Sequence, residues 1–187
     1  MTQSEFALWL QTIPARDLHR YELLDGFVVM EPLAAWPHGE IEGEVVSRLK
    51  SFLMSKPKAL GRVFGSSQGF DLPTGDTVEP DVSFVSAERW QALMRPVRGF
   101  PAVVPDLVVE ILSPSTKKID QEQKKRIYER NGVREYWLID PASHSVQLLV
   151  ATGSMFDAGR LLSADDVLAS QVLPGLEVRV ADLFPVP

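Results

Sequence analysis

The segment 106–112, Asp-Leu-Val-Val-Glu-Ile-Leu, constrains the fold more than any other part of this 187-residue chain. It is almost continuously apolar, which is typical of a central strand that is buried on both faces. One carboxylate, Glu110, interrupts it. Because side chains alternate along a strand, Glu110 shares its face with Val108 and Leu112. The chain must therefore fold so that a carboxylate lies within a covered sheet.

Local patterns place the other elements around this strand. Asp25-Gly26 between two apolar runs predicts a hairpin over 21–30, because its turn needs positive φ. Apolar residues at helical spacing predict helices over 38–54 and 117–131. The other predictions are a helix over 2–10, strands over 62–72 and 77–85 that pair as a hairpin, a helix over 87–93, a loop over 94–104, strands over 133–139 and 145–150, and a helical turn over 165–169. This order indicates one α/β (α+β) domain, 1–187, with a mixed central β-sheet flanked by helices.

Composition excludes several classes of protein. The chain has no cysteine, which excludes disulfide scaffolds, thiolate metal sites and a cysteine nucleophile. It has no phosphate-binding loop, dinucleotide fingerprint or zinc-hydrolase motif. No run approaches the ~20 apolar residues of a membrane-spanning helix. The first residues do not resemble a secretory signal, so we expect a cytoplasmic protein without a membrane partner.

Charge is distributed unevenly. The formal net charge is −6, which argues against a protein that coats nucleic acid non-specifically. Residues 1–46 contain eight acidic residues and two arginines, a net −6, whereas residues 113–134 contain seven basic and three acidic residues, a net +4. Lys117, Lys118 and Arg130 of this basic segment are candidate nucleic-acid-binding residues, because such cations contact phosphates.

Two carboxylates are candidates for chemistry. Burying an ionised Glu110 is costly unless a cation or hydrogen-bond donors compensate it. Asp81 follows Pro80 at the start of a predicted strand. Carboxylates on two strands of one sheet form a minimal site for a hard divalent cation, which prefers oxygen ligands. The alternatives are that Glu110 pairs with an arginine or lies at a solvated strand end, and that Asp81 belongs to a plain turn.

Lys124 is the third candidate. If the helix folds back over the strand, Lys124 comes level with Glu110 at the edge of a cleft. It borders the buried stripe of Ile127 and Tyr128, whereas Lys125 points about 100° away and is expected nearer the rim. Two carboxylates and a lysine suit phosphodiester hydrolysis. The alternative is that Lys124 belongs to a solvated basic face.

A series of motifs carries a resemblance to a known family. In chain order they are Tyr21-Glu22-Leu23-Leu24-Asp25-Gly26, His38 opening a helix, Glu79-Pro80-Asp81-Val82, the segment 105–115, Asp120 with Lys124 and Tyr128, the segment 132–141, and Leu173-Pro174-Gly175-Leu176. Together they resemble the bacterial Uma-two family (domain of unknown function eight-twenty) over about residues 4 to 184.

The resemblance implies a restriction-endonuclease-like fold of the PD-(D/E)XK nuclease superfamily. It implies that Asp81 and Glu110 are catalytic acids that bind the metal. The sequence departs from the superfamily pattern at Leu112, where the plain motif has a lysine. Lys124 on the following helix is the natural replacement, where it would stabilise the attacking water or the negative charge of the pentavalent phosphorane.

Two more residues match the family pattern and are expected to support the site. His38 is a general base, a metal neighbour or merely a residue beside a helix cap, and Glu22 borders the site or only anchors the first helix. The leading interpretation is a Mg²⁺- or Mn²⁺-dependent endonuclease that hydrolyses phosphodiester bonds of nucleic acid, with DNA as the expected substrate. The alternatives are a non-catalytic or regulatory nucleic-acid-binding protein and a protein-interaction module on the same fold. Cleavage of both strands would favour a homodimer.

Overall fold

The fold is built on a seven-stranded mixed sheet. The computed structural model describes residues 1–33, 35–93 and 100–185. In chain order its elements are α1 (Gln3–Leu10), β1 (Arg20–Leu24), β2 (Phe27–Glu31), α2 (His38–Met54), β3 (Gly61–Gly65), β4 (Phe70–Asp71), β5 (Thr77–Val78), β6 (Val82–Ser86), α3 (Ala87–Gln91), β7 (Leu107–Ile111), a π-helix (Ile119–Lys124), α4 (Lys125–Asn131), β8 (Glu135–Asp140), β9 (Ser145–Thr152), β10 (Met155–Phe156), β11 (Arg160–Leu162), β12 (Val167–Ala169), β13 (Glu177–Arg179) and a 3₁₀-helix (Val180–Leu183).

The large sheet has the strand order β10-β9-β8-β7-β6-β3, and β11 also pairs with β9. Strands β7 and β8 run parallel, whereas β6 and β9 lie antiparallel to their neighbours. A parallel pair needs a crossover connection, and the π-helix with α4 provides it. The predicted mixed sheet is confirmed.

Strand β7 is the centre of the core, as its sequence predicts. Leu107, Val109 and Ile111 face one hydrophobic cluster, which includes α2. Val108 and Leu112 face a second cluster, which includes α4. Glu110 lies on this second face and is 2% exposed. Each Å² of apolar surface that is buried contributes about 25 cal/mol of stabilising free energy. Because both faces of β7 pack against apolar residues, this contribution holds the strand in the middle of the molecule.

A smaller antiparallel sheet, β2-β1-β5-β4, places further polar residues near β7. The predicted hairpin is confirmed, with Asp25 (φ 53°) and Gly26 (φ 82°) in its turn. The turn fixes the register, so that Leu24 lies opposite Phe27 and Arg20 opposite Glu31. The open end of the hairpin therefore carries two opposite charges side by side.

Two local predictions are wrong. The predicted strands over 62–72 and 77–85 pair with each other as expected, but neither is continuous: β3 pairs with β6 in the large sheet, and β4 pairs with β5 in the small sheet. The predicted helical turn over 165–169 contains strand β12, which pairs with β13. The predicted helix over 117–131 is confirmed, and its first half is π-helical. In the predicted loop over 94–104, residues 94–99 lie outside the described residues.

Among the described residues, no helix has the length and apolar character needed to cross a membrane.

Candidate active site

Asp81 and Glu110 meet across a pair of neighbouring strands. Strands β6 and β7 are antiparallel with Val82 opposite Val109, and this register continues to place Asp81 beside Glu110. The Asp81 Oδ2 atom accepts a hydrogen bond of 2.8 Å from the Ile111 amide. Both carboxylates are buried and both line one cavity of about 160 Å³. The structure therefore brings together the two acids that the sequence singled out.

Asp81 is held by a histidine and an arginine. His38 Nε2, at the start of α2, lies 3.0 Å from Oδ2, and Arg20 donates to Oδ1 at 3.0 Å. Burial acts to raise the pKa of Asp81, but the hydrogen bond from His38 and the charge of Arg20 outweigh it, and the pKa is lowered. His38 Nδ1 is buried and has no hydrogen-bond partner among the described residues. His38 thus touches the site directly and presents a free ring nitrogen.

Lys124 is the hub of a buried ionic network. Its Nζ atom lies 2.8 Å from Glu22 Oε2, 2.8 Å from Glu31 Oε1 and 3.2 Å from Glu110 Oε1. Asp120 Oδ1 is farther away, at 3.7 Å. Burial acts to lower the pKa of Lys124, but the surrounding carboxylates outweigh it and raise the pKa well above its usual value. The lysine is therefore charged at neutral pH.

The helix faces β7 as predicted, but the expected position of Lys124 at the edge of a cleft is wrong. Its side chain is fully buried, and it is not among the residues that line the cavity. The alternative of a solvated basic face fails for the same reason. Lys125, in contrast, is 32% exposed and pairs with Glu129 at 3.6 Å. Lys124 can thus act on the cavity only through Glu110 and its other partners.

Tyr128 completes the surroundings of Glu110. Its hydroxyl donates to Glu110 Oε1 at 2.7 Å, so this one oxygen accepts from both Tyr128 and Lys124. Glu110 Oε2 has no hydrogen-bond partner in the described part of the chain. Burial raises the pKa of Glu110 well above its usual value despite the nearby lysine. One Glu110 oxygen is therefore fixed by the protein and the other remains free for a ligand.

Carboxyl groups outnumber cations around this network. Glu22, Glu31, Glu79, Asp81, Glu110 and Asp120 surround Arg20 and Lys124. Burial raises the pKa of four of these acids: well above its usual value for Glu110, to about 8 for Glu22, to about 7 for Glu79 and to about 6 for Asp120. Buried charge of one sign is costly unless it is neutralised by protons or by a cation. The site therefore has the electrostatics of a cation-binding site.

The donor atoms fit a divalent cation of the Mg²⁺ type. Asp81, Glu110 and Asp120 supply oxygen atoms to one cavity, and Asp120 Oδ1 is buried without a hydrogen-bond partner among the described residues. In the same residues, no three Asp, Glu, His or Cys side chains form a ready-made metal cluster. Mg²⁺ typically keeps several waters and takes one or two carboxylates. Two carboxylates on one cavity are consistent with that mode.

Sequence reasoning missed two residues of the site, Arg20 and Glu31. Arg20 donates 2.8 Å to Glu31 Oε2 as well as to Asp81, and both residues line the cavity. A signal was present, because the two-residue turn at Asp25-Gly26 places Arg20 opposite Glu31, and opposite charges facing each other across a hairpin attract. The charge count over residues 1–46 includes both residues but says nothing about their pairing.

The expected support from Glu22 has a structural basis. Its Oε1 atom accepts from the Glu79 amide at 2.6 Å, and its Oε2 atom contacts Lys124. It is fully buried and does not line the cavity. Glu22 therefore joins the small sheet to the lysine rather than touching a ligand.

The candidate nucleic-acid-binding residues are spread over the surface. Lys117 is 48% exposed and pairs with Asp140 at 2.8 Å, and Lys118 is exposed. Arg130 contacts Asp25 and Asp76, each at 2.7 Å, and does not line the cavity. The structure thus leaves Lys117 and Lys118 available at the surface and commits Arg130 to two carboxylates elsewhere. Nucleic-acid binding by these residues stays a prediction.

Comparison with known proteins identifies the fold and the family of this chain. A search of curated proteins found no match. A crystal structure described as "a putative nuclease belonging to DUF820" from Anabaena variabilis is 22% identical, with a TM-score of 0.77 over 98% of this chain and 97% of that chain. This likeness confirms the restriction-endonuclease-like architecture of a mixed sheet flanked by helices. The model of the Uma2 family, described as "Putative restriction endonuclease", matches residues 4–181. The chain therefore belongs to the Uma2 family.

Proposed function

We propose that the protein is a metal-dependent endonuclease that hydrolyses phosphodiester bonds of nucleic acid, with DNA as its substrate. Membership of the Uma2 family supports a nuclease-like function. The observation that carries the proposal is the convergence of Asp81 and Glu110 on one cavity with a surplus of carboxyl groups. An enzyme that cleaves a phosphodiester must lower the pKa of a water and neutralise charge on a phosphate.

Asp81 and Glu110 would hold a Mg²⁺ or Mn²⁺ ion through their cavity-facing oxygens. Such an ion, when bound, supplies a water of lowered pKa and neutralises negative charge on the phosphate. Lys124 and Tyr128 fix one oxygen of Glu110, so its other oxygen is presented in a defined direction. We therefore assign Lys124 a positioning role, which acts on the reaction through Glu110.

Arg20 is the residue of this chain best placed to bind the substrate phosphate. It lies on the cavity wall with 24% of its side chain exposed. Among the residues that line the cavity, only Arg20 and His38 can carry positive charge. The planar guanidinium group matches phosphate geometry, and Asp81 and Glu31 hold it in place from the protein side. His38 lines the same cavity and would place a second polar side chain beside the substrate.

One observation favours a second candidate function, nucleic-acid binding without cleavage. Both oxygens of Asp81 already accept hydrogen bonds, from Arg20, His38 and the Ile111 amide. A cation must therefore compete with these donors. If these donors exclude the cation from Asp81, the same cavity would bind a phosphate through Arg20 without cleaving the phosphodiester bond.

The two functions separate in a cleavage assay with plasmid, single-stranded DNA and RNA in Mg²⁺ or Mn²⁺. We expect Asp81→Asn and Glu110→Gln to lower the rate by about a thousandfold, because metal catalysis supplies several kcal/mol and each ~1.4 kcal/mol is tenfold. Glu177→Gln, at an exposed carboxylate of β13, is the matched control and should retain full activity.

Calorimetric titration with Mn²⁺ decides between the outcomes. Binding that both variants abolish, together with cleavage by the wild type, supports the nuclease. Metal binding or DNA binding without cleavage of any substrate favours the second function. Cleavage that persists in both variants would refute the assignment of Asp81 and Glu110.

A further inference from the structure

An apolar groove opens directly beside the cavity. We call it the aromatic groove and define it by Trp36, Pro37, Pro114, Lys117, His144 and Phe184. Its volume is about 660 Å³, within the ~300–1,000 Å³ range of small-ligand sites. His38, Ser113 and Pro114 line both the groove and the cavity. A chain-like ligand can therefore occupy the two spaces at once.

Two of the rings of the groove, Trp36 and His144, are exposed, and contacts with neighbouring residues hold them in place. Trp36 is 79% exposed, and its Nε1 atom donates to Glu40 at 3.2 Å. The exposed ring of His144 stacks on Phe184 with centroids 4.8 Å apart and planes 28° apart. His144 adopts φ 47°, a left-handed conformation that is uncommon for residues other than glycine. The turn thus keeps the exposed ring of His144 at the groove, although its left-handed backbone conformation costs free energy.

The polar groups of the groove and the cavity indicate what kind of ligand fits. Lys117 and Asp140 both line the groove and form an ion pair of 2.8 Å there, with Lys117 about half exposed. The groove therefore combines planar apolar walls with a polar rim, and it leads to a cavity where Arg20 lies. Bases of single-stranded nucleic acid stack on aromatic side chains while cations track the phosphates. A planar ring with an adjoining phosphate matches the groove and the cavity together.

We propose that the aromatic groove binds one unpaired nucleobase of the substrate, adjacent to the phosphate in the cavity. This inference rests on the proposed function and deepens it by naming a substrate class. Bases inside a duplex are stacked on each other and cannot enter a side groove without being extruded, which costs free energy. The preferred substrate is therefore single-stranded, or carries an unpaired base next to the cleaved bond.

The test compares two short oligomers of equal length: single-stranded oligothymidylate, and the same backbone with abasic nucleotides. Their binding to the full chain is measured by fluorescence anisotropy. Because base–aromatic stacking is lost on truncation to alanine, we expect Trp36→Ala to weaken oligothymidylate binding by about tenfold. It should leave the already weaker binding of the abasic oligomer unchanged. Trp36→Phe keeps a ring and should retain most of the affinity.

Phe27→Ala is the matched control. Phe27 is 74% exposed and lies at the turn of the small-sheet hairpin, where it does not line the groove. This variant should bind both oligomers as the wild type does. Equal affinity of the wild type for the two oligomers would overturn the base site, as would an equal loss for both in Trp36→Ala. Dissociation of a dimer by Trp36→Ala would assign the groove to a second copy of the chain and also overturn the proposal.

Cleavage distinguishes the failure of this inference from the failure of the proposed function. Metal-dependent cleavage at equal rates for oligothymidylate and the abasic oligomer retains the nuclease and refutes the base site. Base-dependent binding that Trp36→Ala abolishes, without cleavage, supports the base site and refutes the nuclease.

Discussion

Two buried carboxylates on neighbouring parallel strands have opposite surroundings. Glu135, at the start of β8, accepts hydrogen bonds from Trp137 Nε1 at 2.6 Å, from Ser170 Oγ at 3.2 Å, and from the amides of Gln171 and Val172 at 2.7 and 2.9 Å. All four donors are neutral. Glu110, near the end of β7, shares its cation with other acids and has one oxygen without a partner among the described residues.

The difference shows how a structural carboxylate can be told from a functional one. At Glu135 the protein satisfies the charge completely, because backbone and side-chain donors surround it, and no place remains for a ligand. At Glu110 the protein leaves both a surplus of negative charge and an accessible cavity. A buried acid that the fold does not satisfy requires protons or an external cation, and this is the condition for a binding site.

Removing Lys124, the cation of the Glu110 network, should cause the largest loss of stability. Lys124→Met keeps the bulk of the side chain but leaves Glu22, Glu31 and Glu110 without their shared partner. Breaking a buried ion pair on one side typically costs about 3–5 kcal/mol. We therefore expect a loss of that size in the free energy of unfolding, measured by urea denaturation near neutral pH.

Lys125→Met is the control for this prediction. Lys125 makes a partly buried pair with Glu129, four residues along the helix, and such helix pairs are worth about 0.3–0.5 kcal/mol. The Lys124→Met loss should also shrink in acid, where Glu31, whose pKa is lowered by Lys124 and Arg20 against the effect of burial, becomes protonated. Equal losses for the two lysines would show that Lys124 contributes nothing special to the network.

Replacing Glu135 and Glu110 by glutamine tests the difference between the two acids directly. Glu135→Gln converts one oxygen into an NH₂ group that faces N–H or O–H donors, so we expect a loss of about 1.5–3 kcal/mol. Glu110→Gln can place its NH₂ at the oxygen that has no partner and keep its carbonyl toward Tyr128 and Lys124. We expect a smaller change, below about 1 kcal/mol, in the same urea assay. A larger loss for Glu110→Gln than for Glu135→Gln would contradict the distinction between the two acids.

Much of the site was predictable because its signals are local. Asp25-Gly26 specifies a turn by its positive φ values, and a carboxylate within an apolar strand marks Glu110 wherever the strand lies. The side of the helix that faces β7 follows from the spacing of Lys124, Ile127 and Tyr128. These features need only the periods of helix and strand.

The remaining features depend on contacts between distant segments. The strand predicted over 62–72 breaks because the chain turns away after Gly65, where the Glu42 carboxylate of α2 accepts from the Ser66 amide and hydroxyl at 3.0 and 3.1 Å. Arg20 and Glu31 belong to the site because the small sheet lies near β7, which no local pattern specifies. The depth of Lys124 likewise depends on Glu22 and Glu31, more than 90 residues earlier in the chain.

The last prediction concerns the pH dependence of stability, which is a slope and not a single loss. Burial raises the pKa of Glu22 to about 8 in the folded protein, from 4.5. Because the folded-state pKa is the higher one, the contribution of Glu22 is complete below about pH 4.5 and is lost as the pH rises through about 8. This group should make the free energy of unfolding fall over that window, by up to about 1.4 kcal/mol per pH unit.

Glu22→Gln keeps an acceptor for the Glu79 amide but cannot titrate, so its stability should depend less steeply on pH. Urea unfolding in chelator at several pH values measures the slope, with the exposed Glu177→Gln as control. An identical slope in Glu22→Gln and Glu177→Gln would mean that Glu22 is ionised throughout, and that Lys124 satisfies it as fully as neutral donors satisfy Glu135.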